Sequence, residues 1–321
     1  MTLRAGVIGT GALGRHHVRI LSELDGVELV GVCDARPEIA AELAARHETR
    51  VFGEAGELLR ALDAVVLAVP TRDHAALACQ ALAAGVHVLV EKPMATTLEE
   101  ADRMVAAAGG LVLAVGHVEF HNPAVQRLLS TAPAARFLEI ERLSTFSPRS
   151  LDVDVLLDLM IHDLQILQAL DPTGLREVRA AGIAVLSDRV DIASARLELE
   201  SGCVANLTAS RISDLRVRRL RMFSHEAYHS LDYQEQTIKG FRLEGGVAER
   251  RIVPADLPVE RDEPLRRELL AFVARCRGED VPLVDGVAGR AALALALEVQ
   301  RAIVAHAERA APRRGQTRAA E

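Results

Sequence analysis

The sequence predicts an α/β N-terminal Rossmann domain with a doubly wound parallel sheet. An α+β C-terminal domain with a large, mostly antiparallel open sheet is expected to follow. Three observations carry this reading. A glycine turn, Gly9-Thr10-Gly11-Ala12-Leu13-Gly14, lies between an apolar run and a helical stretch. Strand-like and helix-like runs then alternate as far as Val115, as a doubly wound sheet requires. After about residue 120 the rhythm changes to successive alternating runs, the pattern of a sheet with one covered face. With 321 residues the chain exceeds the size at which one core stops growing. Two domains are therefore expected, residues 1–120 and 121–311, with a disordered tail at 312–321.

The first strand is the apolar run Leu3 to Ile8, and the first helix runs from Arg15 to Leu24. A second strand, Val27 to Cys33, ends at Asp34, twenty residues beyond Gly14. This is the setting of a dinucleotide fingerprint. Gly9 permits the tight turn, Gly11 admits a pyrophosphate, and Gly14 lets the helix pack on the sheet. Thr10, Ala12 and Leu13 complete the turn at a helix N-terminus, where free N–H groups favour anions. Asp34 accepts hydrogen bonds from an adenosine ribose and repels a 2′-phosphate, so NAD is favoured over NADP. Arg36 weighs the other way, since it would neutralise a phosphate.

A helix from Pro37 to Arg46 follows, then a short strand near Arg50 to Phe52 and a helix from Ala55 to Leu62. Ala64 to Val69 is a wholly apolar strand ending at Pro70-Thr71, and Asp73 to Ala84 is helical. Val86 to Val90 forms the next strand and presents Glu91-Lys92-Pro93 at its carboxyl end. A helix, Leu98 to Ala108, leads to a last strand, Leu111 to Val115, followed by Gly116-His117. Ligands on such sheets bind beyond the carboxyl ends of the strands. The glycine turn, Asp34, Pro70, Thr71, His74, Glu91 and Lys92 all fall at that edge and are the candidate cofactor-binding residues.

In the second half a helix from Pro123 to Ser130 and a strand from Phe137 to Leu143 precede a long helix, Val153 to Leu170. Alternating runs follow at Val178 to Leu186, Ala193 to Leu199, Cys203 to Arg211 and Arg216 to Phe223. Three more lie at His229 to Tyr233, Gln236 to Arg242 and Ala248 to Val253. Two terminal helices, Pro264 to Cys276 and Val287 to Ala307, close the fold. An open sheet of this kind commonly pairs with a copy of itself, so a homodimer or homotetramer is expected.

Half of the residues are apolar but only 3% are aromatic, so the cores are aliphatic. The net charge of −7 and a pI near 5.9 argue against a nucleic-acid partner, which needs a basic face. Arg216, Arg218, Arg219 and Arg221 read as solvated strand surface. The cysteines Cys33, Cys79, Cys203 and Cys276 lack metal or redox spacing, and no metal site is expected. His16 and His17 are adjacent in a helix and point to different faces. No signal peptide precedes Leu3, and no apolar stretch is long enough to span a bilayer. A cytoplasmic protein without a membrane partner is expected.

Only two of the 38 basic residues are lysines, Lys92 and Lys239. Arginine serves for surface charge, so Lys92 is expected to do what a planar guanidinium does not: present a compact donor to an oxygen and help move its proton. Asp158 and His162 lie four apart in the long helix and are expected to share a face. That spacing suits an ordinary helix pair, and it also suits a general base whose pKa a carboxylate sets.

These pieces carry a resemblance. The glycine turn with Asp34, Val69-Pro70-Thr71, Glu91-Lys92-Pro93, Gly116-His117 through Asn122-Pro123, and Asp158-x-x-x-His162 occur in the order of one family. The chain resembles the glucose–fructose oxidoreductase/inositol dehydrogenase/MocA family over essentially its whole length. The resemblance implies oxidation of a secondary alcohol of a sugar or cyclitol, with Lys92, Asp158 and His162 around the nicotinamide of NAD. His162 would take the hydroxyl proton, directly or through water, with Asp158 orienting and charging it. Lys92 would hydrogen-bond the same oxygen; which of Lys92 and His162 is the base is left open. Pro93 would fix the turn that aims Lys92, by a cis or a trans peptide.

One departure stands out. Many members carry Arg-Phe where this chain has Glu119-Phe120. His117, Glu119 and Asn122 remain candidate substrate-binding residues. Gly116-His117-Val118-Glu119, Asn122-Pro123-Ala124, Asp158 to Asp163 and Ser230-Leu231-Asp232-Tyr233 look like the branch that oxidises the 3-hydroxyl of UDP-N-acetylglucosamine. In that branch the 3-keto sugar goes to an aminotransferase, toward a diamino sugar for lipid A. The alternatives are an inositol or free-sugar dehydrogenase of the same family and, from another class, a non-catalytic NAD-binding regulatory protein.

Overall fold

The computed structural model describes residues 2–131, 134–146, 154–246 and 249–310. Its first part alternates β1 (Leu3–Ile8), α1 (Gly14–Glu23), β2 (Val27–Cys33), α2 (Pro37–Arg46), β3 (Arg50–Val51) and α3 (Ala55–Leu59). It continues with β4 (Ala64–Leu67), α4 (Thr71–Ala83), β5 (His87–Glu91), α5 (Leu98–Ala108) and β6 (Leu113–Gly116). All pairings are parallel, in the order β3-β2-β1-β4-β5-β6. Every residue of β4 is buried, as expected of a strand covered on both faces. The order reverses between β1 and β4, the switch point where open α/β sheets hold ligands.

A 3₁₀ turn, Val118–His121, leads into α6 (Pro123–Thr131) and β7 (Phe137–Leu143). A π-helical stretch, Leu156–Met160, runs into α7 (Ile161–Leu170). The second sheet is completed by β8 (Leu175–Ile183), β9 (Ile192–Leu199), β10 (Val204–Ser210), β11 (Val217–Phe223), β12 (Ala227–Asp232), β13 (Thr237–Glu244) and β14 (Arg251–Pro254). Its order is β14-β13-β12-β11-β7-β10-β9-β8, antiparallel except where β7 and β10 run parallel. The chain ends in α8 (Pro264–Cys276) and α9 (Gly286–Ala310).

Strand β7 alternates in and out, with Leu138, Ile140 and Arg142 turned inward. Against that inner face α7 buries Ile161, Leu164, Ile166 and Leu167. Helix α9 joins the two sheets: Leu293 packs in the cluster under the first, and Ala296, Val299 and Ile303 pack in that of the second. Helix α8 returns to the first sheet, burying Leu269, Phe272 and Val273 beside Ile20 and Leu21 of α1. No helix among the described residues is long and apolar enough to cross a membrane.

Two elements differ from the sequence expectation for visible reasons. Strand β8 stops at Ile183 rather than Leu186 because Asp191 gathers the backbone N–H groups of Val185, Leu186 and Ser187, at 2.7, 2.7 and 3.1 Å. That carboxylate replaces the ladder as the acceptor. The long helix is divided, its π-helical turn preceding α7. The expected tail 312–321 lies outside the described residues, as do the expected starts of the long helix at Val153 and of the last strand at Ala248.

Candidate active site

The glycine turn closes the β1–α1 connection. Gly9 has a φ of +91°, and a Cβ there would lie 2.4 Å from the Ala68 carbonyl oxygen. A Cβ on Gly14 would lie 1.8 Å from the Gly9 carbonyl oxygen, so the helix starts hard against the turn. Above Gly11 the space is open, with only an Arg36 guanidinium nitrogen 3.6 Å from a built Cβ. Open space at the α1 N-terminus fits the approach of a pyrophosphate.

Asp34 holds this turn from the next strand. Its Oδ2 accepts from the Thr10 N–H at 2.6 Å and the Thr10 hydroxyl at 2.9 Å, and its Oδ1 accepts from the Arg36 N–H at 2.9 Å. Burial pushes the carboxyl upward, but these hydrogen bonds and Arg36 outweigh it and keep it below the usual range. The adjoining cavity, about 360 Å³, is lined by Thr10, Gly11, Ala12, Arg15, Arg36 and Arg46 among others. The turn, the carboxylate and the cavity together fit the adenosine half of NAD.

Pro70 caps α4, which opens at Thr71. His74 is buried on that helix, its Nδ1 3.0 Å from the Pro93 carbonyl oxygen and its Nε2 2.9 Å from that of Val69. It straps the loop after β4 to the loop after β5. Burial lowers its pKa, so neutral His74 donates to one carbonyl at a time.

The loop after β5 carries Glu91, Lys92 and a cis Lys92–Pro93 peptide. Lys92 Nζ donates to the Asp158 carbonyl oxygen at 2.6 Å and to its Oδ1 at 3.2 Å. Glu91 turns away, with Oε1 2.7 Å from His17 Nε2 and Oε2 accepting the Lys92 N–H at 3.3 Å. Burial pushes Glu91 upward; the hydrogen bond to His17 and the charges of His17 and Lys92 prevail and hold it below the usual range.

His162 does not take Asp158 as its partner. The π-helical turn breaks the four-residue register, Asp158 goes to Lys92, and the His162 ring meets His117 edge-on at 5.6 Å between centroids. His162 Nδ1 has no hydrogen-bond partner among the described residues. Burial, then Lys92, Arg142, His117 and Arg218, lower its pKa well below the ordinary value, so the ring is neutral at neutral pH.

Behind His162 lies an ion cluster that sequence reading missed. Arg142 is 1% exposed and donates to both oxygens of Asp163 at 2.7 Å, to Glu119 at 2.7 Å, and stacks over the Tyr233 ring at 4.9 Å. Arg218 joins Glu119 at 3.1 Å. Arg218 is thus not the solvated surface expected of it: it faces inward beside Arg142, its register partner, while Arg219 and Arg221 face outward to Glu141 and Glu139. Period-two alternation was the available signal, since Arg142 continues the inward positions Leu138 and Ile140. Glu119 and Asn122 have protein partners here, Asn122 bonding to the Tyr233 carbonyl and the Ala124 N–H. His117 is 1% exposed, with both ring nitrogens unpartnered among the described residues.

Lys92, Asp158, His162 and His117 therefore converge past the carboxyl end of β5, on the sheet edge that carries the glycine turn. Comparison with known proteins bears on the family and the fold. The model of an oxidoreductase family with an NAD-binding Rossmann fold matches residues 3–117. UDP-N-acetylglucosamine 3-dehydrogenase of Acidithiobacillus ferrooxidans is 41% identical over 318 residues, covering 96% of this chain and 99% of that protein. A solved structure of that enzyme aligns with a TM-score of 0.88 at 41% identity, covering 95% of this chain and 99% of that one. Myo-inositol 2-dehydrogenase of Thermotoga maritima is 25% identical over 330 residues, covering 94% of this chain and 96% of that protein. On the full-length similarity, the matched family model and the shared fold, this chain belongs to the glucose–fructose oxidoreductase/inositol dehydrogenase/MocA family of NAD-dependent oxidoreductases.

Proposed function

We propose that this protein oxidises the 3-hydroxyl of UDP-N-acetylglucosamine to the 3-keto sugar with NAD, using Lys92, Asp158 and His162. The observation that carries the reading is the Lys92–Asp158 clasp beside His162, whose buried Nδ1 has no protein partner among the described residues, in a chain similar along its length to that enzyme. An ammonium has three donors, and Asp158 occupies two, which leaves one N–H for a substrate oxygen. Neutral His162 has the lone pair to accept the hydroxyl proton, while Lys92 stabilises the developing alkoxide. When bound, the nicotinamide takes the hydride from the carbinol carbon. His117, Glu119 and Asn122 back this pocket.

We further infer a homo-oligomer built on the outer face of the eight-stranded sheet, and a cytoplasmic setting, consistent with Cys33, Cys79, Cys203 and Cys276 all being free. Light scattering on the purified protein checks the first. The test of function is NADH formation with UDP-N-acetylglucosamine beside UDP-glucose, myo-inositol and free hexoses, with a ketone trap to pull the equilibrium. Turnover confined to the N-acetylated nucleotide sugar is expected. Turnover on myo-inositol or a free sugar alone would overturn the substrate while keeping the site.

A further inference from the structure

Oxidising a secondary alcohol with NAD⁺ yields a ketone, NADH and one proton. The hydride leaves with the cofactor, but the hydroxyl proton stays on a base enclosed by protein. His162 is 8% exposed, and with substrate seated over it that proton needs a way out.

The side of the pocket away from the substrate offers one. His117 meets the His162 ring edge-on at 5.6 Å. At the other end of the same 3₁₀ turn is His121, 4% exposed, its ring edge-on to Phe120 at 5.2 Å. His121 also lines an open cleft of about 490 Å³ together with Asp25, Gln126, Asp262 and Arg267. The turn is packed by α6, α7 and α8, and α1 packs on α8. On the turn, α1 and α8 buried polar atoms stand without partners among the described residues: both nitrogens of His117, Nε2 of His121, Nδ1 of His17 and both carboxyl oxygens of Glu268. Buried polar groups are as a rule satisfied, and where protein does not supply the partner, ordered water does.

We propose that His117 and His121, bridged by buried water, form a proton path from His162 to the cleft between the 3₁₀ turn and α8. Neutral imidazole suits such a relay, because one nitrogen accepts a proton as the other releases one and no net charge is stored. Burial, Lys92 and His121 lower His117 to about 3, against the opposing charge of Glu91. Burial and then Arg267 lower His121 to about 4. Both rings are thus neutral carriers at neutral pH. Glu268 is held well above the usual carboxylate range by burial and then by Glu91, so it lines the path as a neutral acid. The proton that leaves the substrate oxygen reaches His162, moves through water to His117 and His121, and is released into the cleft.

The inference rests on alcohol oxidation at this site but not on the identity of the alcohol. The test uses stopped flow on the full-length enzyme with whichever sugar the wild type oxidises, following NADH absorbance and a pH indicator together. In His121→Phe and His121→Gln, proton release is expected to lag NADH formation by about tenfold or more, within the range of single proton-transfer contributions. Added imidazole is expected to restore it, which a merely structural defect would not allow. Coincident proton and NADH traces in both variants, unaffected by imidazole, would overturn the path. A high-resolution crystal structure of the wild type gives a readout free of substrate: waters on His117 and His121 are expected, and a dry contact there would overturn the path even if the proposed sugar proved wrong.

Discussion

Lys92 and Asp158 are 66 residues apart, yet Lys92 Nζ bonds to both the backbone carbonyl and the carboxylate of Asp158, at 2.6 and 3.2 Å. This clasp ties the edge of the parallel sheet to the helix that covers the antiparallel one. It fixes the direction of the remaining N–H and sets the distance between the two halves of the site.

Lys92→Arg keeps the charge but replaces a point donor by a planar fork. Turnover is expected to fall by about 100-fold or more, the scale of a lost proton-transfer or oxyanion group. NAD affinity by calorimetry should stay near that of the wild type, since Gly9, Gly11 and Asp34 are untouched. Near-normal turnover would remove Lys92 from the chemistry.

Asp34→Ala deletes a carboxylate that braces Thr10, which lines the cavity beside the glycine turn. NAD binding should weaken about tenfold, as a charge-assisted hydrogen bond is worth about 1.5–3 kcal/mol. NADP should be affected less, because Arg36 remains and the repulsion of a 2′-phosphate is gone. An unchanged ratio of the two dissociation constants would contradict the ribose assignment.

Asp163→Ala leaves the fully buried Arg142 with one carboxylate, Glu119, which it shares with Arg218. Breaking a buried pair from one side costs about 3–5 kcal/mol. The unfolding midpoint in urea should drop accordingly with little change in slope. A loss under about 1 kcal/mol would show that water reaches the cluster.

Glu268 gives a pH signature. Its folded pKa lies above the unfolded one, so its contribution is fully present below the unfolded value near pH 4.5 and is lost as pH rises toward the folded value. Glu268→Gln escapes that loss. The variant should be the more stable at neutral pH, by a margin growing by about 1.4 kcal/mol per pH unit over that window. Parallel stability curves from pH 5 to 8 would refute a raised Glu268.

Much of this protein was legible from sequence because its signals are local. The glycine turn, the burial of β4 and the shift from helix-punctuated to alternating strands each depend on a few neighbouring residues, and β1, β2, α2, α5, β7 and α8 fall where the pattern puts them. Gly9, Asp34 and Lys92 were readable as a set because a parallel sheet brings every strand's carboxyl end to one edge.

Side-chain partnership was not legible in the same way. His17 lies on the buried stripe of α1 with Gly14, Val18 and Leu21, but its partner Glu91 is 74 residues away. Asp158 and His162 share helical spacing, yet the π-helical turn and the Lys92 ammonium separate them. Periodicity tells which face a residue occupies; which charge it meets there depends on how the two sheets dock, and that follows from packing α7 and α9 between them.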